Sequence, residues 1–151
     1  MRISSRIVLS MRLVFVSGGL LAQVGASQAN VIRVEIERLR SDKGQVFCAL
    51  YSSSVGFPKD NQKAIARVKS SISNKKASCE FSGIMPGTYA ISVFHDENSN
   101  GKLDTNFLGI PREGVGASND GRGHMGPPKF DAAQFQFSGG RLNLKITINY
   151  L

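Results

Sequence analysis

Beyond residue 30 the chain alternates apolar and polar positions with a period of two, and this alternation predicts strands. Ile32, Val34 and Ile36 alternate with Arg33, Glu35 and Glu37, and Val46, Cys48 and Leu50 share one face of the run from Gln45 to Tyr51. Ser41-Asp42-Lys43-Gly44 lies between these runs and predicts a hairpin. Pro86-Gly87 supplies a turn into Tyr89–His95, and Phe135–Phe137, Ser138-Gly139-Gly140 and Leu142–Ile148 read as a second hairpin. Short strands joined by polar turns predict an all-β fold, a small antiparallel β-sandwich of the immunoglobulin-like or prealbumin-like kind.

Two segments do not follow the pattern. Asp60–Ser73 fits a short helix through Ala64, Val68 and Ile72 and fits a strand as well, so residues 59–76 stay open between irregular structure, strand and helix. From Asn106 to Lys129 the chain is rich in glycine and proline with little apolar periodicity, which predicts a long loop over 97–129.

With 151 residues there is room for one domain, and the N-terminal composition narrows it to residues 30–151. Residues 1–29 carry Arg2, Arg6 and Arg12 without an acid, then an apolar run from Leu13 to Ala22, then small residues ending in Ala29. That order predicts a secretory signal peptide cut after Ala29, with Met11 as a second candidate start. The apolar run is well short of the roughly 20 residues that span a bilayer, so no transmembrane segment is expected. Removing three arginines lowers the formal charge from +8 to +5.

Export places the two cysteines, Cys48 and Cys79, in an oxidising compartment. Both fall on the apolar phase of their strands and therefore point at one core, which predicts a disulfide between them. The basic run Lys59, Lys63, Arg67, Lys69, Lys75 and Lys76 suits an anionic envelope component or protein partner. It lacks interleaved aromatic residues and a nucleic-acid motif, so a solvated face is the simpler reading and no nucleic acid is expected.

The chemistry concentrates in Asp96-Glu97-Asn98-Ser99-Asn100-Gly101-Lys102-Leu103-Asp104. Oxygen-bearing side chains stand at positions one, three, five and nine, and a glycine at position six permits a sharp turn, the spacing of a calcium loop. The predicted ligands are Asp96, Asn98, Asn100, the Lys102 carbonyl and Asp104. The twelfth position, where a calcium hand has a bidentate glutamate, is Phe107, and a strand precedes the loop instead of a helix. Glu113, Asp120 and Asp131 are the carboxylates able to complete the set, and so small a ligand charge predicts affinity of roughly 10⁻⁴–10⁻³ M. A hydrogen-bonded Asn/Asp/Gly turn is the simpler alternative.

No catalytic or cofactor-binding residues are assigned. His95 and His124 with Asp96 fall short of the close ligands zinc needs. Gly116-Ala117-Ser118-Asn119-Asp120 misses the last position of a hydrolase elbow, and Gly114-Val115-Gly116 lacks the strand-to-helix setting of a dinucleotide site. The expected function is an exported cell-envelope module acting in binding or structure. Its rival is a small envelope hydrolase using Glu113, Asp120 and Asp131, whose separations decide between the two.

Pro86-Gly87-Thr88-Tyr89-Ala90, His95–Asn98 with Asn100–Asn106, Gly109–Gly114 and Pro128–Ala133 together resemble the secreted bacterial domain-of-unknown-function family 2141. The resemblance covers nearly all of residues 30–151. It implies an exported β-rich domain with a calcium-loop-like segment and brings no catalytic residue. The chain departs from the pattern after Gly114, where Val115-Gly116-Ala117-Ser118-Asn119 replaces an aromatic residue followed by Gly-Phe-Ser-Asn.

Overall fold

The structure is a computed structural model that describes residues 30–151. The expected signal peptide, residues 1–29, lies outside those residues. Eight strands follow in chain order: β1 Val31–Glu37, β2 Gln45–Tyr51, β3 Ala66–Ser71, β4 Ala77–Ser82, β5 Gly87–Asp96, β6 Val115–Ala117, β7 Phe135–Phe137 and β8 Arg141–Thr147. A short helix α1, Phe130–Ala133, precedes β7.

The strands form two sheets packed face to face. One has the order β4-β1-β8, and the other β3-β2-β5-β6 with β7 also paired to β5. The all-β sandwich predicted by the alternation is therefore present. Its pairs are antiparallel except β1 with β8, which run parallel with Val34 opposite Leu144. The apolar phases read from the sequence, Ile32, Val34 and Ile36 in β1 and Val46, Cys48 and Leu50 in β2, face the core, where they meet Ile91 and Val93 from β5 and Ile146 from β8. Cys48 in β2 and Cys79 in β4 are joined by a disulfide, with Cα atoms 6.5 Å apart, so the bond links one sheet to the other.

Neither expected hairpin forms. β1 and β2 lie in different sheets, as do β7 and β8. In each case the intervening turn arches across the sandwich edge, so the two apolar faces oppose each other across the core instead of lying side by side. Left-handed residues make the arches: Arg38 and Gly44 in the first, Gly139 and Gly140 in the second. The open segment 59–76 contains a 3-10 turn, Asn61–Lys63, then β3, then a turn closed by Ser73 and Lys76. The loop expected over 97–129 is interrupted, because β6 pairs with β5 and a 3-10 turn, Ser118–Asp120, follows it. No helix among the described residues is long and apolar enough to cross a membrane.

Outside the large sheet, a small second cluster covers one end. Ala90, Ala117 and Ala133 pack there with Phe57 and Phe130. Ser118 is fully buried in it, donating to the Ala133 carbonyl at 2.5 Å and accepting the Ile91 N–H at 2.9 Å. That hydroxyl ties α1 to β5, a structural role in place of a nucleophilic one.

Candidate metal-binding loop

The acidic loop starts where β5 ends. Its first residue, Asp96, is fully buried and accepts the N–H of Asn100 at 3.0 Å and of Gly101 at 2.9 Å, plus the Gln45 side-chain amide at 3.2 Å. A side chain folding forward over its own backbone in this way makes a tight turn, and Gly101 completes it with φ of +79°. Asn98 and Asn100 repeat the device, Asn98 accepting the Asn100 N–H at 3.1 Å and Asn100 accepting the Lys102 N–H at 2.9 Å. The other end of each amide turns inward. Asn98 and Asn100 donate to the two carboxylate oxygens of Asp104, at 2.7 and 2.9 Å.

The four predicted side chains, Asp96, Asn98, Asn100 and Asp104, are thus joined in one network, with Lys102 in the same turn. Two further residues fix the loop in place. Glu113, buried, accepts the Glu97 N–H at 2.8 Å and the Asp104 N–H at 2.9 Å, so it straps both ends of the loop to the start of the following segment. Gly44 passes so close beneath that any Cβ there would collide with the Asp96 carbonyl oxygen.

The loop offers oxygens of the kinds that calcium takes. The Asp104 carboxylate meets the Asn98 and Asn100 amides, each of its oxygens accepting one N–H and keeping a second lone pair, whereas one Asp96 oxygen already accepts from both Gly101 and Gln45. The amide NH₂ groups now face Asp104 where a cation would sit. A half turn of each amide brings its carbonyl oxygen to that position, at the expense of the bonds to the Asn100 and Lys102 N–H groups and of those donated to Asp104. Asn supplies one oxygen and no charge where Asp supplies two oxygens and a charge. Among the described residues no three His, Cys, Asp or Glu side chains gather as a metal-binding group.

Of the other candidate acids, Glu113 straps the acidic loop, Asp120 accepts the Thr147 N–H at 2.9 Å, and Asp131 is exposed on α1, which packs against the turn holding Asp120. His124 is exposed. His95 is fully buried on the core face of β5, with Nε2 2.7 Å from the Lys43 carbonyl and Nδ1 2.7 Å from the Tyr150 hydroxyl. A carbonyl only accepts, so Nε2 carries a proton, and in the neutral ring Nδ1 accepts from the Tyr150 hydroxyl.

His95 belongs to a cluster that local sequence reasoning misses. The Tyr150 hydroxyl also accepts the Arg40 N–H at 3.0 Å, and the Arg40 guanidinium lies 4.5 Å over the Tyr150 ring. Arg40 grips the Glu97 carboxylate in a two-point ion pair, with Nε to Oε1 at 2.8 Å. The hydrogen bonds to Arg40 hold the Glu97 carboxyl below the usual carboxylate range, and burial raises the Tyr150 phenol above its usual value. These partners are 55 to 110 residues apart in the chain, so no local spacing signals them.

The basic run also gains a neighbour unseen in the local sequence. Phe47 of β2 stacks on Phe94 of β5 with centroids 4.8 Å apart, and Lys69 of β3 lies 4.5 Å above the Phe47 ring. The aromatic partners come from adjacent strands instead of from the run itself.

No curated protein and no solved structure matches this chain at a significant level. A family model does match, over residues 34–145, a span that takes in most of the sandwich, the disulfide, the acidic loop and its Glu113 strap. The chain belongs to the bacterial family described as "Uncharacterized protein conserved in bacteria (DUF2141)".

Proposed function

We propose that this protein is an exported cell-envelope module whose Asp96–Asp104 loop holds calcium, acting in binding or structure and not in catalysis. The observation that carries the reading is the convergence of the Asn98 and Asn100 amides on the Asp104 carboxylate beside the buried Asp96 turn. Asp96, Asn98, Asn100, the Lys102 carbonyl and Asp104 would hold the ion. Bound there, calcium would supply positive charge to an acidic loop at the end of β5. Export is supported by the composition of residues 1–29 and by a cross-sheet disulfide, which persists in oxidising compartments.

The test is a thermal melt with added calcium. A ligand that binds only the native state stabilises it by RT ln(1 + [L]/Kd), about 1.4 kcal/mol at ten times Kd. Millimolar calcium is expected to raise the melting temperature, and magnesium to raise it less because its octahedral shell suits a loose loop poorly. An unchanged melt at millimolar calcium, with the fold intact, would reduce the loop to a hydrogen-bonded turn.

A further inference from the structure

Immediately after the acidic loop the chain forms a narrow hairpin with an apolar tip. The Arg112 N–H bonds the Asp104 carbonyl at 2.9 Å, Thr105 and Pro111 bridge, and the Asn106 N–H bonds the Ile110 carbonyl at 2.9 Å. Within the tip, the Asn106 side-chain oxygen accepts the N–H of Leu108 at 2.9 Å and of Ile110 at 3.0 Å, and Gly109 takes a left-handed conformation. The backbone is therefore tied from inside. Phe107 is 94 % exposed, Leu108 69 % and Ile110 43 %.

Isolated exposed apolar side chains are ordinary on protein surfaces. Three within four consecutive residues, on a projection whose backbone is fixed away from the core, are not accounted for by packing. From this geometry we infer that the Phe107-Leu108-Gly109-Ile110 tip docks into the surface of an anionic phospholipid membrane.

Charge and shape select that occupant. Exposed Lys102 and Arg112 flank the hairpin base, and no acidic residue lies between Thr105 and Arg112. Of the nearby acids, Asp104 faces the Asn98 and Asn100 amides, Glu97 is paired with Arg40, and Asp96 and Glu113 are buried against backbone N–H groups. Residues 30–151 carry 16 basic against 11 acidic residues, so long-range attraction favours an anionic surface. An apolar tip with cations at its base is the pattern that lies in a membrane interface, the apolar groups below the headgroups and the cations among them. A convex projection enters a fluid bilayer without a preformed groove. Docking of this kind requires no ion in the acidic loop.

The test is co-sedimentation of the purified chain with phosphatidylglycerol–phosphatidylcholine vesicles in the presence of a chelator, alongside the variants F107S/L108S and K102Q/R112Q. Both double variants change exposed side chains, and matching far-ultraviolet circular dichroism would establish that they fold. Wild type is expected to sediment with the anionic vesicles and far less with phosphatidylcholine alone. F107S/L108S should weaken partitioning by about tenfold or more, since two large apolar side chains no longer leave water. K102Q/R112Q should weaken it and reduce its sensitivity to salt. Absence of sedimentation by wild type would overturn the inference, and so would sedimentation that F107S/L108S leaves unchanged. A wild-type dimer in sedimentation velocity that F107S/L108S dissociates, without vesicle binding, would assign the tip to a second copy of the chain and equally overturn it.

Discussion

Glu113 holds the backbone N–H of Asp104 at 2.9 Å and, with its other oxygen, the N–H of Glu97 at 2.8 Å. A residue outside the acidic run thus supplies the acceptor for both of its ends. A calcium hand uses its last glutamate as a bidentate ligand. Here a glutamate nine residues after Asp104 occupies the loop's frame, and the proposed ligands, Asp96, Asn98, Asn100, the Lys102 carbonyl and Asp104, lie within the loop.

Removing that strap has a calculable cost. Glu113→Ala leaves two N–H groups without their acceptor in a site that is only 4 % exposed, each worth about 1–3 kcal/mol when unsatisfied. Urea denaturation should show a loss of about 2–4 kcal/mol, partly offset by water entering the gap. Glu113→Gln keeps one acceptor oxygen and should lose less. Equal stability of Glu113→Ala and wild type would contradict the role assigned to this carboxylate.

The disulfide joins β2 to β4 across the core and closes 31 residues of chain. In the chain-entropy model such a loop contributes roughly 3–4 kcal/mol. Thiol titration of the unfolded, unreduced protein should detect no free thiol. The double variant C48A/C79A should unfold at distinctly lower denaturant concentration, with the pairing of the sheets retained.

Tyr150 serves two partners through one hydroxyl, accepting from the Arg40 N–H and donating to His95 Nδ1. Tyr150→Phe strands both, one of them fully buried, and should destabilise by about 1–3 kcal/mol. Because burial raises the phenol, tyrosinate titration of the folded protein should show a tyrosine that ionises above the ordinary value of 10.0. Burial raises the Tyr51 phenol as well, so Tyr150→Phe is expected to remove one such component and leave that of Tyr51.

The Arg40–Glu97 pair carries a pH dependence of definite sign. Its hydrogen bonds lower the Glu97 carboxyl below its ordinary 4.5 in the folded state. A group with a depressed folded pKa stabilises fully above its unfolded value and loses that contribution as the pH falls through the folded one. With Arg40 half exposed, the pair is worth no more than about 1 kcal/mol. Stability measured from pH 7 downward should therefore fall below about pH 4.5, and Glu97→Gln should make the decline shallower.

Period-two alternation was enough to read β1, β2, β5, β7 and β8, the apolar faces of Val34 and Cys48 and the pairing of the two cysteines, because those depend on which side of a strand a residue faces, but it left β3 open and passed over the short β6. Strand neighbours were not legible in the same way. A turn such as Ser41–Gly44 serves a hairpin or an arch between sheets equally well, and only packing of both apolar faces around one core decides. Within the acidic loop, Asp96, Asn98, Asn100 and Asp104 were visible through local spacing. Glu113 was one of three equivalent acids until the fold brought it back against Glu97 and Asp104. Arg40, His95 and Tyr150 meet only through β5 and the C-terminal segment, a relation that no window of sequence contains.

Calorimetric titration of calcium into wild type and Asp104→Asn tests the central claim most directly. Asp104 is bound through its carboxylate oxygens only to the Asn98 and Asn100 amides, so the isosteric change removes a charged ligand with little disturbance of the backbone. Wild type is expected to take up one calcium with a Kd of roughly 10⁻⁴–10⁻³ M, and Asp104→Asn to bind about tenfold more weakly or not at all. Absence of binding by folded wild type at millimolar calcium, or binding of equal strength in Asp104→Asn, would contradict a calcium site in this loop.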